Sequence, residues 1–131
     1  FDCIITDSSD PIGPAETLFS KGFYQMAYDA LTEDGVLCCQ AESIWLHLDS
    51  IVEWFGTLKS IFANVEYGYT MIPTYPNGMI GFFLASKKEG HQCKEIARQA
   101  PEDSDLRYYN AEIHKAAFVL PTFAAKKING A

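Results

Sequence analysis

The chain has 131 residues, 48% of them hydrophobic and 21% charged, a composition usual for a soluble globular domain and unlike a disordered or fibrous chain. Its formal charge of −7 disfavours nucleic acid or an anionic membrane as a partner, because both require clustered Lys and Arg, and suits a small cation. No apolar run approaches the roughly 20 residues of a membrane-spanning helix, so we expect no membrane association.

The first part of the chain has the pattern of a β-α-β-α unit. Residues 1–7 form an apolar run that predicts a buried strand, and the turn-rich residues 8–14 predict a loop. Apolar residues at spacings of three and four predict one helix over residues 16–31. Residues 36–40 predict a second strand, and residues 48–62 predict a second amphipathic helix.

The second part predicts two further strands, over residues 65–72 and 79–86. The turn between them is too short for a crossover helix, so they must be antiparallel neighbours. Residues 87–105 are polar and without period, which predicts a surface connection. Asn110 is a good N-cap for a short helix that Pro121 interrupts.

This order of elements predicts an α/β fold over residues 1–131, with parallel strands followed by an antiparallel strand pair. Ligands of such open sheets lie beyond the carboxyl ends of the parallel strands, where Asp7 and Gln40 fall. The chain opens directly on strand residues without an initiator Met, so we expect it to begin within a domain. It contains no Gly-rich turn of the kind that holds a nucleotide.

Two carboxylates stand three residues apart in Asp7-Ser8-Ser9-Asp10, on a loop that prolines stiffen. One interpretation is an Asx-turn, with Asp10 solvated and Asp7 capping the next helix. The other is a cation site in which one carboxylate acts as a general base, because unbalanced carboxylates repel each other. The spacing alone slightly favours the turn.

Other polar and aromatic residues are weak indicators by themselves. Gln40 and Glu42 can face a cleft or simply mark a strand end. Tyr75 stands between two prolines, which suits presentation of a phenol to a pocket and also any rigid turn. Trp45 and Trp54 at helical positions favour the core over a ligand platform.

The cysteines and histidines do not predict a metal site. The four cysteines have no CxxC spacing, and the three histidines are far apart and unpaired with cysteine. We therefore expect free thiols, no metal, and a reducing cytoplasmic location.

Taken together, the motifs resemble the spermidine synthase family of polyamine aminopropyltransferases in order and spacing, over nearly the whole chain. The segments that carry the resemblance are Ile5-Thr6-Asp7-Ser8-Ser9-Asp10-Pro11-Ile12-Gly13-Pro14-Ala15, Gly35-Val36-Leu37-Cys38-Cys39-Gln40-Ala41-Glu42, Trp45-Leu46-His47-Leu48, Ile72-Pro73-Thr74-Tyr75-Pro76-Asn77-Gly78, Ile80-Gly81-Phe82 and Arg107-Tyr108-Tyr109-Asn110. The resemblance implies the C-terminal part of a methyltransferase-like Rossmann domain.

The resemblance also implies a reaction, in which decarboxylated S-adenosylmethionine donates an aminopropyl group to putrescine, giving spermidine and methylthioadenosine. The nucleotide is then a co-substrate, and no cofactor is implied. The family's general base corresponds to Asp7, which also lies at the donor, and Pro14 and Ala15 correspond to positions that pack against adenine. Its substrate-binding residues correspond to Ser8, Ser9, Asp10, Gln40 and Tyr75.

Family members carry an N-terminal β-domain used in dimerisation and a nucleotide-binding first half, which these 131 residues do not contain. We therefore expect a homodimer for the full-length protein, and an exposed sheet edge and no activity for the 131 residues alone. The alternatives are spermine synthase, putrescine N-methyltransferase, or a non-catalytic fragment that binds a partner chain.

The missing nucleotide-binding residues lead to a binding prediction. Residues 1–131 alone should have no measurable affinity for decarboxylated S-adenosylmethionine. Titration calorimetry checks this, and a tight stoichiometric site would contradict it.

Overall fold

Four strands form one mixed sheet in a computed structural model that describes residues 1–130 of the chain. They are β1 (Cys3–Thr6), β2 (Val36–Gln40), β3 (Asn64–Met71) and β4 (Met79–Ser86). Their order across the sheet is β1-β2-β4-β3. β1 and β2 are parallel, and the other two pairs are antiparallel. The predicted α/β class and the antiparallel strand pair are confirmed.

The helices follow the predicted order with two differences. They are a 3-10 helix (Gly13–Phe19), α1 (Lys21–Ala30), α2 (Leu48–Lys59), α3 (Ala111–Ala116) and α4 (Thr122–Ile128). Asn110 caps α3 as predicted, since its side-chain oxygen accepts a hydrogen bond from the Ile113 N–H at 2.8 Å. None of the helices within residues 1–130 is long and apolar enough to cross a membrane.

The first difference is that the single helix predicted over residues 16–31 is wrong. Ser20 has an extended backbone, and its hydroxyl accepts a hydrogen bond from the Phe23 N–H at 3.2 Å. Ser20 therefore ends the 3-10 helix and caps a new one, a role that serine prefers over a helix interior. Met26, which the apolar spacing of a single helix would place on the buried face, is 65% exposed.

The second difference is α4, which the sequence pattern does not predict. Pro121 separates α4 from α3 and is also where α4 begins. Its carbonyl accepts the first helical hydrogen bonds, from the N–H groups of Ala124 and Ala125. Ala124 and Ile128 of this helix are buried. The chain therefore returns to the core after residue 121.

One hydrophobic cluster lies between α1, α2 and α4 and one face of the sheet. Trp54 packs against Phe19 with ring centroids 4.4 Å apart, as expected for a core residue. Trp45 is not in the core, because it is 62% exposed, and its ring contacts that of Phe123 of α4 at a tilt of 49°. The largest fully buried hydrophobic side chains are Tyr24, Phe83, Leu37, Ile44, Ile51, Leu58 and Ile128.

β1 is less buried than predicted. It is one of the two outer strands of the sheet within the described residues. Ile4 packs against the core, whereas Cys3 is exposed and Ile5 is 75% exposed on the opposite face. The apolar run of β1 thus reflects two apolar faces, of which the described residues cover one.

The antiparallel pairing of β2 with β4 continues past the end of β2. The Ala41 N–H donates to the Gly81 carbonyl at 2.8 Å, and the Gly81 N–H donates to the Glu42 carbonyl at 2.8 Å. A side chain at Gly81 would clash here, since a Cβ would lie 1.8 Å from the Tyr67 hydroxyl and 2.6 Å from the Glu42 carbonyl oxygen. Glycine is thus required for this close approach.

Two glycine-to-alanine substitutions should therefore change stability in opposite directions. Gly81→Ala should destabilise the protein by about 1–3 kcal/mol, because backbone atoms cannot move away from the new methyl group. Gly56→Ala, within α2, should stabilise it by roughly 0.5–1 kcal/mol, because its Cβ meets nothing within 4 Å. Urea unfolding of both variants measures this, and a neutral Gly81→Ala would contradict the required close approach.

Candidate active site

Three connections meet at the carboxyl ends of β1 and β2 and enclose a cavity of about 360 Å³. They are the loop after β1, the loop after β2 and the turn between β3 and β4. This volume is in the range of small-molecule sites. Its lining consists of Asp7, Ser8, Ser9, Asp10, Gln40, Glu42, Ser43, Leu46, His47, Tyr75, Pro76, Asn77, Met79 and Ile80.

Six of the eight predicted site residues line this one cavity, namely Asp7, Ser8, Ser9, Asp10, Gln40 and Tyr75. Pro14 and Ala15 do not line it, because they belong to the 3-10 helix that follows the loop. The strand ends thus bring together residues that are up to 68 positions apart in the sequence.

The two aspartates of the first loop are exposed and do not cap a helix. The 3-10 helix begins after Ile12 without a side-chain cap, and Ser20 caps α1. The capping role considered for Asp7 is therefore wrong. Both carboxylates lie at the cavity instead, where they are available to a ligand from the solvent side.

Gln40 is the buried polar residue at the end of β2, with 9% of its surface exposed. Its Nε2 donates a hydrogen bond to Glu42 Oε1 at 3.1 Å. Its carbonyl oxygen, Oε1, is buried and has no hydrogen-bond partner within the described residues. A buried acceptor without a partner is unfavourable in the free protein and suits a ligand that donates a hydrogen bond.

Glu42 is 6% exposed and lies beside Gln40. Besides the Gln40 amide, its carboxylate contacts His47, with 3.2 Å between Glu42 Oε2 and His47 Nδ1. Glu42 therefore joins a residue of β2 to a residue at the start of α2.

The backbone of Glu42 is left-handed, with φ of 57°, which is uncommon for a residue other than glycine. Two donors hold its carbonyl, the Gly81 N–H at 2.8 Å and the Tyr67 hydroxyl at 2.9 Å. Burial, followed by the nearby Glu42 charge, raises the pKa of Tyr67, so this hydroxyl keeps its proton as a donor.

The β3–β4 turn is fixed by its own hydrogen bonds and by a contact to the β2 loop. The Tyr75 N–H donates to the Ile72 carbonyl at 3.1 Å, and the Gly78 N–H donates to the Tyr75 carbonyl at 3.0 Å. The Asn77 side-chain amide donates to the Ser43 hydroxyl. The turn thereby presents Tyr75, which is 47% exposed, at the cavity.

The charge of the cavity is negative. Its lining includes three carboxylates, Asp7, Asp10 and Glu42, with His47 as its basic side chain and neither Lys nor Arg. Carboxylates lining a concave site attract small cations and raise their local concentration. Chemically, the cavity offers acceptors at several points for a ligand with positively charged donors.

Comparisons with known proteins agree with this chemistry. The family model described as "Spermine/spermidine synthase domain" matches residues 1–96, well over half of the chain. The chain belongs to the spermine/spermidine synthase family. It is 53% identical to a spermidine synthase of Dictyostelium discoideum, over 98% of this chain and 45% of that protein. It is 44% identical to putrescine N-methyltransferase 2 of Nicotiana attenuata, over 98% of this chain and 37% of that one.

The fold of this family member also matches a solved structure. A spermidine synthase crystallised with the transition-state analogue AdoDATO superposes with a TM-score of 0.84 at 32% identity, over 100% of this chain and 45% of that one. The predicted family and the methyltransferase-like fold are thus confirmed. The chain spans less than half the length of these spermidine synthases.

The sequence prediction did not assign a site role to four further polar cavity residues of this family member, Glu42, Ser43, His47 and Asn77, although it considered that Glu42 can face a cleft. Glu42 and His47 are five residues apart on a loop, and no regular periodicity brings loop side chains together. Their one signal is that polar residues interrupt the apolar pattern directly after β2.

The unpartnered oxygen of Gln40 leads to a stability prediction. Gln40→Met should change the free energy of unfolding of the unliganded protein by no more than about 1 kcal/mol. Losing the hydrogen bond leaves one oxygen of the buried Glu42 carboxylate without its donor, at a cost of order 1–3 kcal/mol, and removing the unpartnered Gln40 acceptor relieves a cost of the same order. Urea unfolding checks this against Gln25→Met on the exposed surface of α1. A loss above about 2 kcal/mol would make Gln40 a structural residue.

Proposed function

We propose that the protein containing this chain transfers an aminopropyl group from decarboxylated S-adenosylmethionine to putrescine, giving spermidine and methylthioadenosine. Membership of the spermine/spermidine synthase family supports the reaction class. The single observation that carries the proposal is the buried, unpartnered Gln40 Oε1 at an acidic cavity. An alkylammonium has donors and no acceptor, so it complements this oxygen.

Putrescine is a chain of four methylene groups with an ammonium at each end, and the cavity fits both features. Acceptors stand at separate points of its lining, with Asp7 and Asp10 on the first loop and Gln40 at the end of β2. Leu46, Met79 and Ile80 supply apolar surface for the methylene groups. Two cations in one cavity need nearby negative charge, which the carboxylates provide.

The proposed roles follow from the chemistry of the step. Asp7 takes one proton from the attacking ammonium, which leaves a neutral amine. The nitrogen lone pair forms a bond to the carbon beside the sulfonium as the carbon–sulfur bond breaks. Sulfur leaves as a neutral thioether, and the product nitrogen carries the positive charge. Metal ions and further cofactors are not needed for this balance.

The remaining residues bind and orient the diamine. Asp10, Gln40 and Tyr75 anchor the ammonium ends, and Ser8 and Ser9 complete the wall of the cavity. Orienting the amine against the donor carbon accounts for a large part of catalysis in such a two-substrate reaction. Pro14 and Ala15, on the 3-10 helix, are proposed to pack against the adenine of the donor, outside the diamine cavity.

A second candidate function is methyl transfer to putrescine. It is favoured by the 44% identity to putrescine N-methyltransferase 2, which covers nearly the whole chain. The same diamine cavity serves both reactions, and the difference lies in the donor. Assaying the complete protein with S-adenosylmethionine and with its decarboxylated form separates them, and spermine synthase is separated by supplying spermidine as the acceptor. A partner-binding fragment without catalysis predicts no turnover with either donor.

Location and assembly belong to the same proposal. We expect a cytoplasmic enzyme, consistent with four cysteines that are all free. We also expect a homodimer for the complete protein, which sedimentation would measure.

Two aspartate variants of the complete protein test the proposed roles. Asp7→Asn should lower kcat by ~10²–10⁴-fold, because the proton acceptor is lost while the shape is kept. Asp10→Asn should act mainly by raising the KM for putrescine, because its contact is made in both the ground and transition states. Steady-state kinetics and thermal melts measure both.

The matched control is Asp103→Asn in the exposed connection before α3, which should leave both constants unchanged. If Asp7→Asn keeps near-normal turnover while folded, Asp7 is not the general base. If both site variants lose stability in parallel, with no split between kcat and KM, the aspartates only shape the loop.

A further inference from the structure

Glu42 stands in a different position from the other carboxylates of the cavity. It is almost fully buried, and both of its oxygens are used by the protein, one by the Gln40 amide at 3.1 Å and one by His47 at 3.2 Å. Asp7 and Asp10 are exposed. Glu42 therefore differs from them in having its acceptors occupied before a ligand arrives.

The Glu42 carboxylate determines which end of the Gln40 amide is left without a protein partner. A side-chain amide has a donor end and an acceptor end of nearly the same shape, and a half-turn exchanges them. An ionised carboxylate can only accept, so the NH₂ group of Gln40 must face Glu42. The carbonyl oxygen then faces away and stays unpartnered. The reverse orientation would place two acceptors against each other.

His47 and the backbone hold Glu42 in this arrangement. His47 Nδ1 lies 3.2 Å from the second carboxylate oxygen, so a rotation of the carboxylate would lose one of its two contacts. The Gly81 N–H and the Tyr67 hydroxyl fix the Glu42 carbonyl and keep its left-handed backbone. Glu42 is thereby held at its backbone by residues of the sheet and at its carboxylate by His47, at the start of α2.

We propose that Glu42, held by His47, is a positioning residue that keeps the Gln40 amide oxygen directed at the diamine. The inference rests on the proposed function, because it concerns how one ammonium of that substrate is recognised. Gln40 would otherwise present a mixture of donor and acceptor to a cation. Glu42 thus acts through Gln40 and not by contacting the substrate.

A double-mutant cycle between Glu42 and Gln40 tests this in the complete protein. Glu42→Gln removes the charge that selects the amide orientation, and should raise the KM and the calorimetric Kd for putrescine roughly tenfold, with kcat changed less than about threefold. Gln40→Met should raise both constants by a similar factor. The double variant should be no worse than Gln40→Met alone, because Glu42 then has nothing left to orient.

Two further variants keep the test decisive. His47→Leu should raise the same constants in the same direction by a smaller factor, and it replaces Glu42→Gln in the cycle if that variant does not fold. Glu53→Gln removes a carboxylate from an exposed position of α2 and should change neither constant. Thermal melts confirm that each variant is folded.

The outcomes separate this inference from the proposed function. If the wild-type protein turns over putrescine but the effects of Glu42→Gln and Gln40→Met multiply, Glu42 acts directly through its charge and the inference is wrong. If the protein binds putrescine without aminopropyl transfer, the proposed function fails while the Kd cycle still decides the role of Glu42. If it does not bind putrescine, both fail.

Discussion

The site depends on the pairing of β2 with β4 beyond the last residue of β2. Hydrogen bonds from Ala41 to Gly81 and from Gly81 to Glu42 carry the ladder two residues past Gln40. They place the β2 loop beside β4, whose preceding turn carries Tyr75. The absence of a side chain at Gly81 makes this approach possible. The close approach at Gly81 thus lets Gln40 and Glu42, at and after the end of β2, line the same cavity as Tyr75.

Much of the fold could be predicted because periodicity reports burial directly. β2, α2, β3 and β4 each have one apolar pattern over their whole length. The bounds of β2 and β4 match the prediction, and those of α2 and β3 differ from it by at most three residues. Periodicity does not predict the helix break at Ser20, because the apolar spacing continues through this residue while its hydroxyl favours a helix cap. α4 was missed because it is short and its start coincides with Pro121.

Some residues of the candidate site could likewise be predicted from the sequence, and others could not. Asp7 and Gln40 could be predicted, since polar residues at the carboxyl ends of parallel strands converge in any such sheet. The link between Glu42 and His47 could not, because it requires a left-handed backbone at Glu42, a conformation that glycine and asparagine signal and glutamate does not. Sequence patterns predict helices and strands because these have a regular period. The conformation of an irregular loop depends on contacts without a period, so such patterns do not predict it.

The two kinds of polar group at the cavity have different physical tasks. Asp7 and Asp10 are exposed, so water weakens each single contact, and their combined charge mainly raises the local concentration of a cation. Gln40 is buried, carries no net charge and fixes geometry strongly, because an acceptor shielded from water gains most from one well-placed donor.

Such a division avoids the large desolvation cost of a buried, unpaired carboxylate facing the ligand. The buried carboxylate, Glu42, instead has its oxygens satisfied by Gln40 and His47. The negative charge nearest the interior is therefore stabilised by the protein, while the acceptor without a protein partner is a neutral amide. In this arrangement the free protein leaves one neutral acceptor unsatisfied, which is the smaller cost, and a charged donor can still bind there with an orientation set in advance.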